Sequence, residues 1–416
     1  MKMDFGFGTG TQSVEIPDKN LLSVLGPNAV DLGLTGEEEV IRALQNPIGS
    51  RPLGKIVKPG EKIAIVTSDI TRPMPTHLVM PALLDTLYEA GVDPGDITLV
   101  FGLGIHREHT ESEKRKLAGE QAYAQIRVMD SPPHDCIGYG TTASGTPVDI
   151  TRVVAQADRR ICLGNIEYHY FAGYSGGGKA IMPGVSTGEA IQMNHRMMVR
   201  EEAAAGRIDG NPIRDDIEEA AAMVGIDFII NVVLDEKKRI VRAVAGDAVL
   251  AHREGCRFLD QLYRKELTER ADIVLVSQGG FPKDLNLYQT QKALDNAKHA
   301  VKNGGVIILI GSCKEGLGED EFERWMTGSP SPGAMVERIG KDFRLGGHKA
   351  AAIAMVLENA DIYMVSEMDP AFVERIFLRP FDSAQAAFDA AFEKMGPDAT
   401  VLAMPYGGST LPHVIS

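Results

Sequence analysis

The segment Glu167-Tyr168-His169-Tyr170-Phe171-Ala172-Gly173-Tyr174-Ser175-Gly176-Gly177-Gly178-Lys179-Ala180 packs an imidazole, a primary amine, four aromatic rings and four glycines into fourteen residues. Gly173 to Lys179 reads G-x-x-x-x-G-K, a formal match to a phosphate-binding loop, in which backbone N–H groups surround an anion and a lysine adds charge. Position 180 is Ala, so the hydroxyl that usually binds magnesium is missing, and an aromatic, histidine-containing run precedes the loop where a clean strand would be expected. The bland reading is a surface loop. A solvated linker, however, has no use for Tyr168, Tyr170, Phe171 and Tyr174.

Other chemistry-bearing groups sit in short, separate motifs. They are Asp69-Ile70-Thr71-Arg72-Pro73, Gly104-Ile105-His106-Arg107, Asn194-His195 and Tyr288-Gln289-Thr290-Gln291-Lys292. His106 and His109, three apart, have the spacing of a metal pair, but on a loop that spacing alone is weak support. His77, His134, His252, His299 and His413 stand in unremarkable contexts and receive no role. Cys136, Cys162, Cys256 and Cys313 are scattered with no C-x-x-C pair, which argues against a zinc ribbon or disulfide scaffold and fits a reducing compartment.

The elements that must carry these motifs alternate between strand and helix. Residues 62–67 and 97–101 are short buried-strand runs, and 77–90 has helical periodicity with Gly91 as its stop. Thr110 and Glu113 form a capping box at the start of the next helix. Residues 161–163 end a strand before the glycine-rich stretch 164–188. A helix beginning near Thr187 carries Asn194 and His195, and Asn211-Pro212 is a strong helix start. Residues 227–234 and 239–244 read as strands, with a helix following to about Lys265. The alternation restarts with strands at 273–277, 306–310, 362–366 and 400–404 and helices at 289–302, 319–327, 332–340, 348–358 and 383–394. The first fifty residues read as strands and turns.

The pattern predicts an α/β protein of two domains with mainly parallel, doubly wound sheets. The expected boundaries are an N-terminal α/β domain over 1–270 and a C-terminal one over 271–416, with the tail after about 405 returning to the first. Ligands of such sheets bind beyond the carboxyl ends of the strands, where Asp69, His106 and Gly279–Lys283 are placed by their positions.

Length and charge bound the function classes. A chain of 416 residues suits two to three domains at ~150 residues each. Its 44% hydrophobic and 24% charged residues are ordinary for a globular protein. The net charge of −14, without any Lys/Arg run, argues against a nucleic-acid partner. No apolar run approaches the ~18 residues of a spanning helix, and MKMDFGFGTGTQ has no signal-peptide core, so the expectation is a cytoplasmic protein with no membrane partner.

The ordered set D-x-T-R-P (Asp69–Pro73), G-x-H-R (Gly104–Arg107), H-Y-F-A-G-Y-S-G-G-G-K (His169–Lys179), N-H (Asn194, His195) and Y-Q-x-x-K (Tyr288–Lys292) resembles the nickel-dependent lactate racemase family. The resemblance runs through motifs from about residue 60 to 300. It implies a two-domain enzyme with its active site in the inter-domain cleft, an isomerase acting as racemase or epimerase on lactate or a related 2-hydroxy acid. It also implies a nickel-pincer mononucleotide, loaded by separate cofactor-synthesis proteins and joined covalently to Lys179, with nickel bound by His195. Asp69, Ser175, Gly176 and Gly177 would line that cofactor. His106 and His169 would be the acid/base pair, and Arg72, Tyr288, Gln289 and Lys292 would hold the substrate.

That chemistry is consistent on its own terms. The Cα proton of a 2-hydroxy acid is only weakly acidic beside a carboxylate, so oxidation to a flat 2-oxo acid and reduction on the other face avoids the carbanion. The two enantiomers point their hydroxyls differently, which calls for two bases, and histidine's ordinary pKa of ~6.5 suits proton transfer at neutral pH. A planar arginine with a lysine suits the carboxylate. The competing readings are a nucleotide-binding phosphotransferase using Gly173–Lys179 and a non-catalytic metal- or nucleotide-binding protein. Ala180 speaks against the first, and the acid/base pair against the second.

Overall fold

A computed structural model describes residues 1–415, which divide into a middle unit, Val30–Gln261, and a terminal unit of Met1–Ala29 with the described residues from Leu262 onward. The middle unit is built on a six-stranded sheet in the order Ile240–Gly246, Phe228–Leu234, Arg159–Asn165, Ile63–Ser68, Ile97–Gly102, Arg127–Asp130. Every neighbouring pair is parallel except the first, where Phe228–Leu234 and Ile240–Gly246 form an antiparallel edge. Strand order reverses between Ile63–Ser68 and Arg159–Asn165. The carboxyl ends of these two strands therefore flank the crevice where a doubly wound sheet binds ligands.

Local sequence explains the layers. In the helix Thr76–Glu89, Val79, Met80, Leu83, Leu84 and Leu87 recur at helical spacing and pack on Ile63, Ile65 and Leu99 of the sheet. Thr110 and Glu113 close the expected capping box on the helix Glu111–Ala118. Asn211 accepts hydrogen bonds from Ile213 and Arg214 N–H, with Pro212 at the first position of the helix Pro212–Val224. Such a cap is worth ~1 kcal/mol.

The terminal unit holds a second six-stranded sheet, wholly parallel, in the order Arg379–Phe381, Asp361–Val365, Val301–Ile310, Ala271–Ser277, Val401–Met404, Leu21–Val24. A hairpin of Lys2–Phe7 and Gly10–Glu15 packs Phe5 and Val14 into its core beside Ala387, Phe388 and Ala391 of the helix Ala384–Met395.

Several expectations need correction. Residues 1–29 belong with the C-terminal residues and not in a 1–270 domain, because Leu21–Val24 pairs with Val401–Met404. The tail stays in the terminal unit, since Leu411–Val414 pairs with Arg264–Leu267. The first fifty residues contain a helix, Gly36–Gln45, that buries Val40, Ala43 and Leu44. The helix expected over 289–302 is Leu287–Ala297, and the following strand starts at Val301, where Val301 pairs with Ala271.

Candidate active site

Two loops leave the carboxyl ends of adjacent strands in the middle unit. After Ile63–Ser68 comes Asp69-Ile70-Thr71-Arg72, and after Ile97–Gly102 comes the segment with His106 and His109. Asp69 is buried, and its Oδ2 accepts a 2.6 Å hydrogen bond from His106 Nδ1. Thr71 Oγ1 donates to Asp69 Oδ1 at 2.8 Å. Burial alone would raise the Asp69 pKa, but hydrogen bonds from His106 and Thr71 and the nearby Arg72 charge outweigh it and hold the carboxyl below its ordinary range. With its Nδ1 proton on Asp69, His106 carries its lone pair on Nε2, the arrangement a general base needs. Arg72 is exposed and enters no ion pair among the described residues, so a surface salt bridge does not explain it.

His106 and His109 do not form a metal pair. His109 Nδ1 donates to Asp130 Oδ1 at 2.6 Å, so the two rings serve different carboxylates. Among the described residues, no group of three or more His, Cys, Asp or Glu could hold a metal ion by itself.

The glycine-rich segment follows the strand Arg159–Asn165, on the other side of the switch point. It folds as two short paired strands, Tyr168–His169 and Gly173–Tyr174, and one 3-10 turn, Gly177–Ala180. Lys179 therefore sits in a four-residue turn and not at the start of an α-helix, unlike the lysine of a nucleotide-binding P-loop. Gly176 and Gly177 have φ of 76° and 59°. A Cβ there would lie 2.7 Å from Asn231 Oδ1 and 2.9 Å from His252 Cγ, so both conformation and space require glycine. The loop is clamped from beneath. His252 Nε2 donates to Ser175 O at 2.8 Å, and Asn231 Oδ1 accepts from Gly177 N–H at 2.8 Å. Arg214, fully buried, donates to the carbonyls of Ala172, Tyr174 and Gly176. Ser175 Oγ is spent on the same framework, donating to Asn165 O at 2.7 Å and accepting from Glu167 N–H at 2.9 Å.

Burial and positive neighbours depress Lys179 and His169. The Lys179 amine lies well below the ordinary lysine value, first through burial and then through Arg214 and Arg72, with Glu167 opposing. His169 is likewise held neutral by burial and by Lys179, Arg72, His195 and Arg214. The Phe171 ring gathers three of these groups, with the His169 and His195 rings 4.4 and 4.8 Å from its centroid and Lys179 Nζ at 5.9 Å. Ala172 N–H donates to His169 Nδ1 at 3.3 Å, which places the proton of the neutral ring on Nε2.

His195 closes the helix Gly188–His195, whose N-cap Thr187 accepts from Ala190 N–H. Asn194 Nδ2 donates to Asp216 Oδ2 and Ile213 O, which turns its Oδ1 toward His195. His195 Nδ1 donates to that oxygen at 2.8 Å, so the ring lone pair is on Nε2.

The remaining motif lies in the terminal unit. Gln289 and Lys292, three apart, occupy one face of the helix Leu287–Ala297, whose N-cap Asn286 accepts from Gln289 N–H. Lys349 Nζ donates to Tyr288 O at 2.8 Å and lies 4.5 Å from the Tyr288 ring centroid, fixing the first turn.

Sequence reasoning missed the supports Arg214, His252, Asn231 and Lys349, none of which stands in the motifs singled out above, whereas Asn194, within the Asn194-His195 motif, is the ring partner its position suggested. The one readable signal was Asn211-Pro212, which starts the helix bearing Arg214.

Comparison with known proteins gives consistent matches. Residues 7–206 match the family model described as "Lactate racemase N-terminal domain", and residues 267–411 match "Lactate racemase C-terminal domain". The chain is 32% identical to a lactate racemase of Thermoanaerobacterium thermosaccharolyticum over 421 residues, covering 98% of each. It is 30% identical to one of Lactiplantibacillus plantarum, covering 97% of this chain and 98% of the relative. The structure of the lactate racemase apoprotein from T. thermosaccharolyticum aligns with TM-score 0.90 at 30% identity over 99% of this chain and 100% of that one. A Thermotoga maritima protein structure aligns with TM-score 0.66 at 19% identity over 92% of this chain and 100% of that one, a likeness of fold alone.

Proposed function

Because this chain belongs to the lactate racemase family, we propose that it interconverts the enantiomers of lactate or a related 2-hydroxy acid, with His106 and His169 as the two proton-transferring groups. The observation that carries this reading is the pair of histidines placed on either side of one sheet's switch point, both with Nδ1 engaged, as a donor in His106 and as an acceptor in His169. His106 Nε2 takes the hydroxyl proton of one enantiomer, and His169, which presents Nε2–H as a donor in this structure, serves the other in the tautomer that bares Nε2. Arg72 holds the substrate carboxylate, and Tyr288, Gln289 and Lys292 keep the substrate-holding role that the family resemblance implies. Asp69 acts through His106, fixing its tautomer.

The residues fit a nickel-pincer mononucleotide tethered to Lys179. Burial and the Arg214 and Arg72 charges hold the Lys179 amine well below its ordinary value, which favours the neutral, nucleophilic form, and the glycines at 176–177 let the loop that carries it close on Asn231 and His252. His195 offers one oriented ring lone pair and no carboxylate or thiolate cluster accompanies it among the described residues, so the other nickel ligands would have to arrive with the cofactor. When bound, the cofactor supplies a reversible hydride acceptor. The protein's own part is to bind the carboxylate, move the hydroxyl proton and keep the planar 2-oxo acid in place while it turns.

The reading is tested with protein co-produced with the cofactor-synthesis proteins and checked by intact mass. Each enantiomer of lactate and of longer 2-hydroxy acids is incubated and followed by chiral chromatography. Convergence of both enantiomers to equal amounts is expected for at least one acid. Loaded protein that leaves every acid enantiopure would overturn it. In the same preparations, His195→Ala should keep the fold and lose nickel.

A further inference from the structure

His109 belongs to no role assigned so far, yet both its ring nitrogens and its backbone N–H are engaged at the edge of the site. Its side chain is fully buried. Nδ1 lies 2.6 Å from Asp130 Oδ1, the backbone N–H donates to Asp130 Oδ2 at 2.9 Å, and Nε2 accepts the backbone N–H of Ile70 at 3.0 Å. A backbone N–H can only donate, so Nε2 must be bare and the ring proton must lie on Nδ1, facing the carboxylate.

Ile70 stands between the two residues that hold His106. Asp69 receives the His106 Nδ1 proton, and Thr71 Oγ1 braces Asp69 while lying 3.4 Å from the same nitrogen. Packing does little to hold this loop, because Ile70, Thr71 and Arg72 are all exposed. Its other internal tie is Arg72 N–H to Asp69 O at 3.1 Å, which bends the loop but anchors it to nothing outside. The bond from Ile70 to His109 joins the loop after Ile63–Ser68 to the loop after Ile97–Gly102, and Asp130, closing the third adjacent strand, fixes the ring that makes it.

We propose that His109 is a positioning residue for His106. It pins the Asp69–Arg72 loop through the Ile70 amide, so that the Asp69 carboxylate meets His106 at one distance and angle and Arg72 is presented from a fixed backbone. The inference rests on His106 being a proton-transferring group. Of two histidines three residues apart, one moves protons and the other holds its partner's orienting carboxylate in place.

The test has two readouts that need neither cofactor nor substrate. In the unloaded chain, His109→Leu should speed exchange of the Ile70 amide by ~10-fold or more while amides of Ile63–Ser68 keep their wild-type rates. His109→Gln, whose side-chain oxygen can accept the same N–H, should restore most of the protection. In loaded enzyme, His109→Leu should lower kcat by ~10–100-fold, the scale expected for a small misplacement of a reacting group, with His109→Gln recovering most of it. A packing role would give the reverse order, with leucine the better replacement. Unchanged Ile70 exchange in a folded His109→Leu protein overturns the proposal. Should that variant fail to fold, imidazole nitrogen NMR of the wild-type chain decides. A His109 proton on Nδ1 alone supports the proposal, and a proton on Nε2 overturns it. A failure of the racemase reading would show instead as loaded wild-type enzyme without activity, with both readouts on the unloaded chain intact.

Discussion

The two sides of the switch point treat the same residue type in opposite ways. On one side, His106 and His109 each donate a hydrogen bond from Nδ1 to a carboxylate, Asp69 and Asp130, at 2.6 Å. On the other, burial first and then like charge drive two imidazoles neutral, with Lys179, Arg72 and Arg214 acting on His169 and Arg214, Arg253 and Lys179 on His252. The first arrangement fixes a tautomer by attraction. The second fixes a protonation state by exclusion and extends it to Lys179. Orientation and nucleophilicity are therefore supplied by separate regions of one sheet edge.

The largest effect should come from the cationic side. Lys179→Ala should abolish the covalent adduct seen by intact mass and with it all activity. An adduct elsewhere with activity intact would separate the buried amine from the cofactor. Next are the two histidines. His106→Ala and His169→Ala should each lose ~10²–10⁴-fold in turnover, the usual worth of a general base. Neither can racemise in one net direction only, so the informative measurement is single-turnover oxidation of each enantiomer separately. The two variants should retain opposite enantiomers. Identical residual behaviour would favour a single base.

Arg72→Lys should cost ~10–100-fold in kcat/KM, as expected when a hydrogen bond to a charged group is lost, with steady-state kinetics as the check. Unaltered kinetics would move the carboxylate clamp elsewhere.

The smallest effect concerns stability. Folded His252 is pushed down to about 3, chiefly by burial, while the unfolded chain binds a proton near the ordinary ~6.5. The unfolded state therefore gains protons first, and stability present above ~6.5 is lost as pH falls toward 3. At pH 5 the loss from this ring is about 2 kcal/mol. Denaturant unfolding at pH 7 and pH 5 should show a smaller pH difference in His252→Gln. The Asp69 contribution runs to lower pH, because its folded pKa is depressed and its stability is lost only as pH falls through that value.

Much of the fold was legible because it rests on local signals. The capping box at Thr110, the Asn211-Pro212 start and the β-branched run at 62–67 each satisfy nearby backbone or burial needs, and the structure has elements at all three. The pairing of Leu21–Val24 with Val401–Met404 was not legible, since nothing in either strand encodes a partner some 380 residues away. The candidate site divides in the same way. Its reactive groups stand in short motifs, with His169 and Lys179 ten residues apart on one loop. Their supports do not, because Arg214, His252 and Asn231 reach the loop from distant elements and a lone buried residue leaves no spacing to read. Ser175 shows the converse, since its place in the motif suggested a ligand contact while its hydroxyl is used by the loop's own backbone.

The central claim is that hydrogen moves between substrate and cofactor as hydride while His106 and His169 handle only the hydroxyl proton. Racemisation of one lactate enantiomer by loaded enzyme in deuterium oxide tests this directly, with the Cα position of the product read by NMR or mass spectrometry. Product of the opposite configuration that retains its original Cα hydrogen is the predicted result. Deuterium at Cα, rising in step with inversion, would mean that a base removes the Cα proton itself, and the account would be wrong.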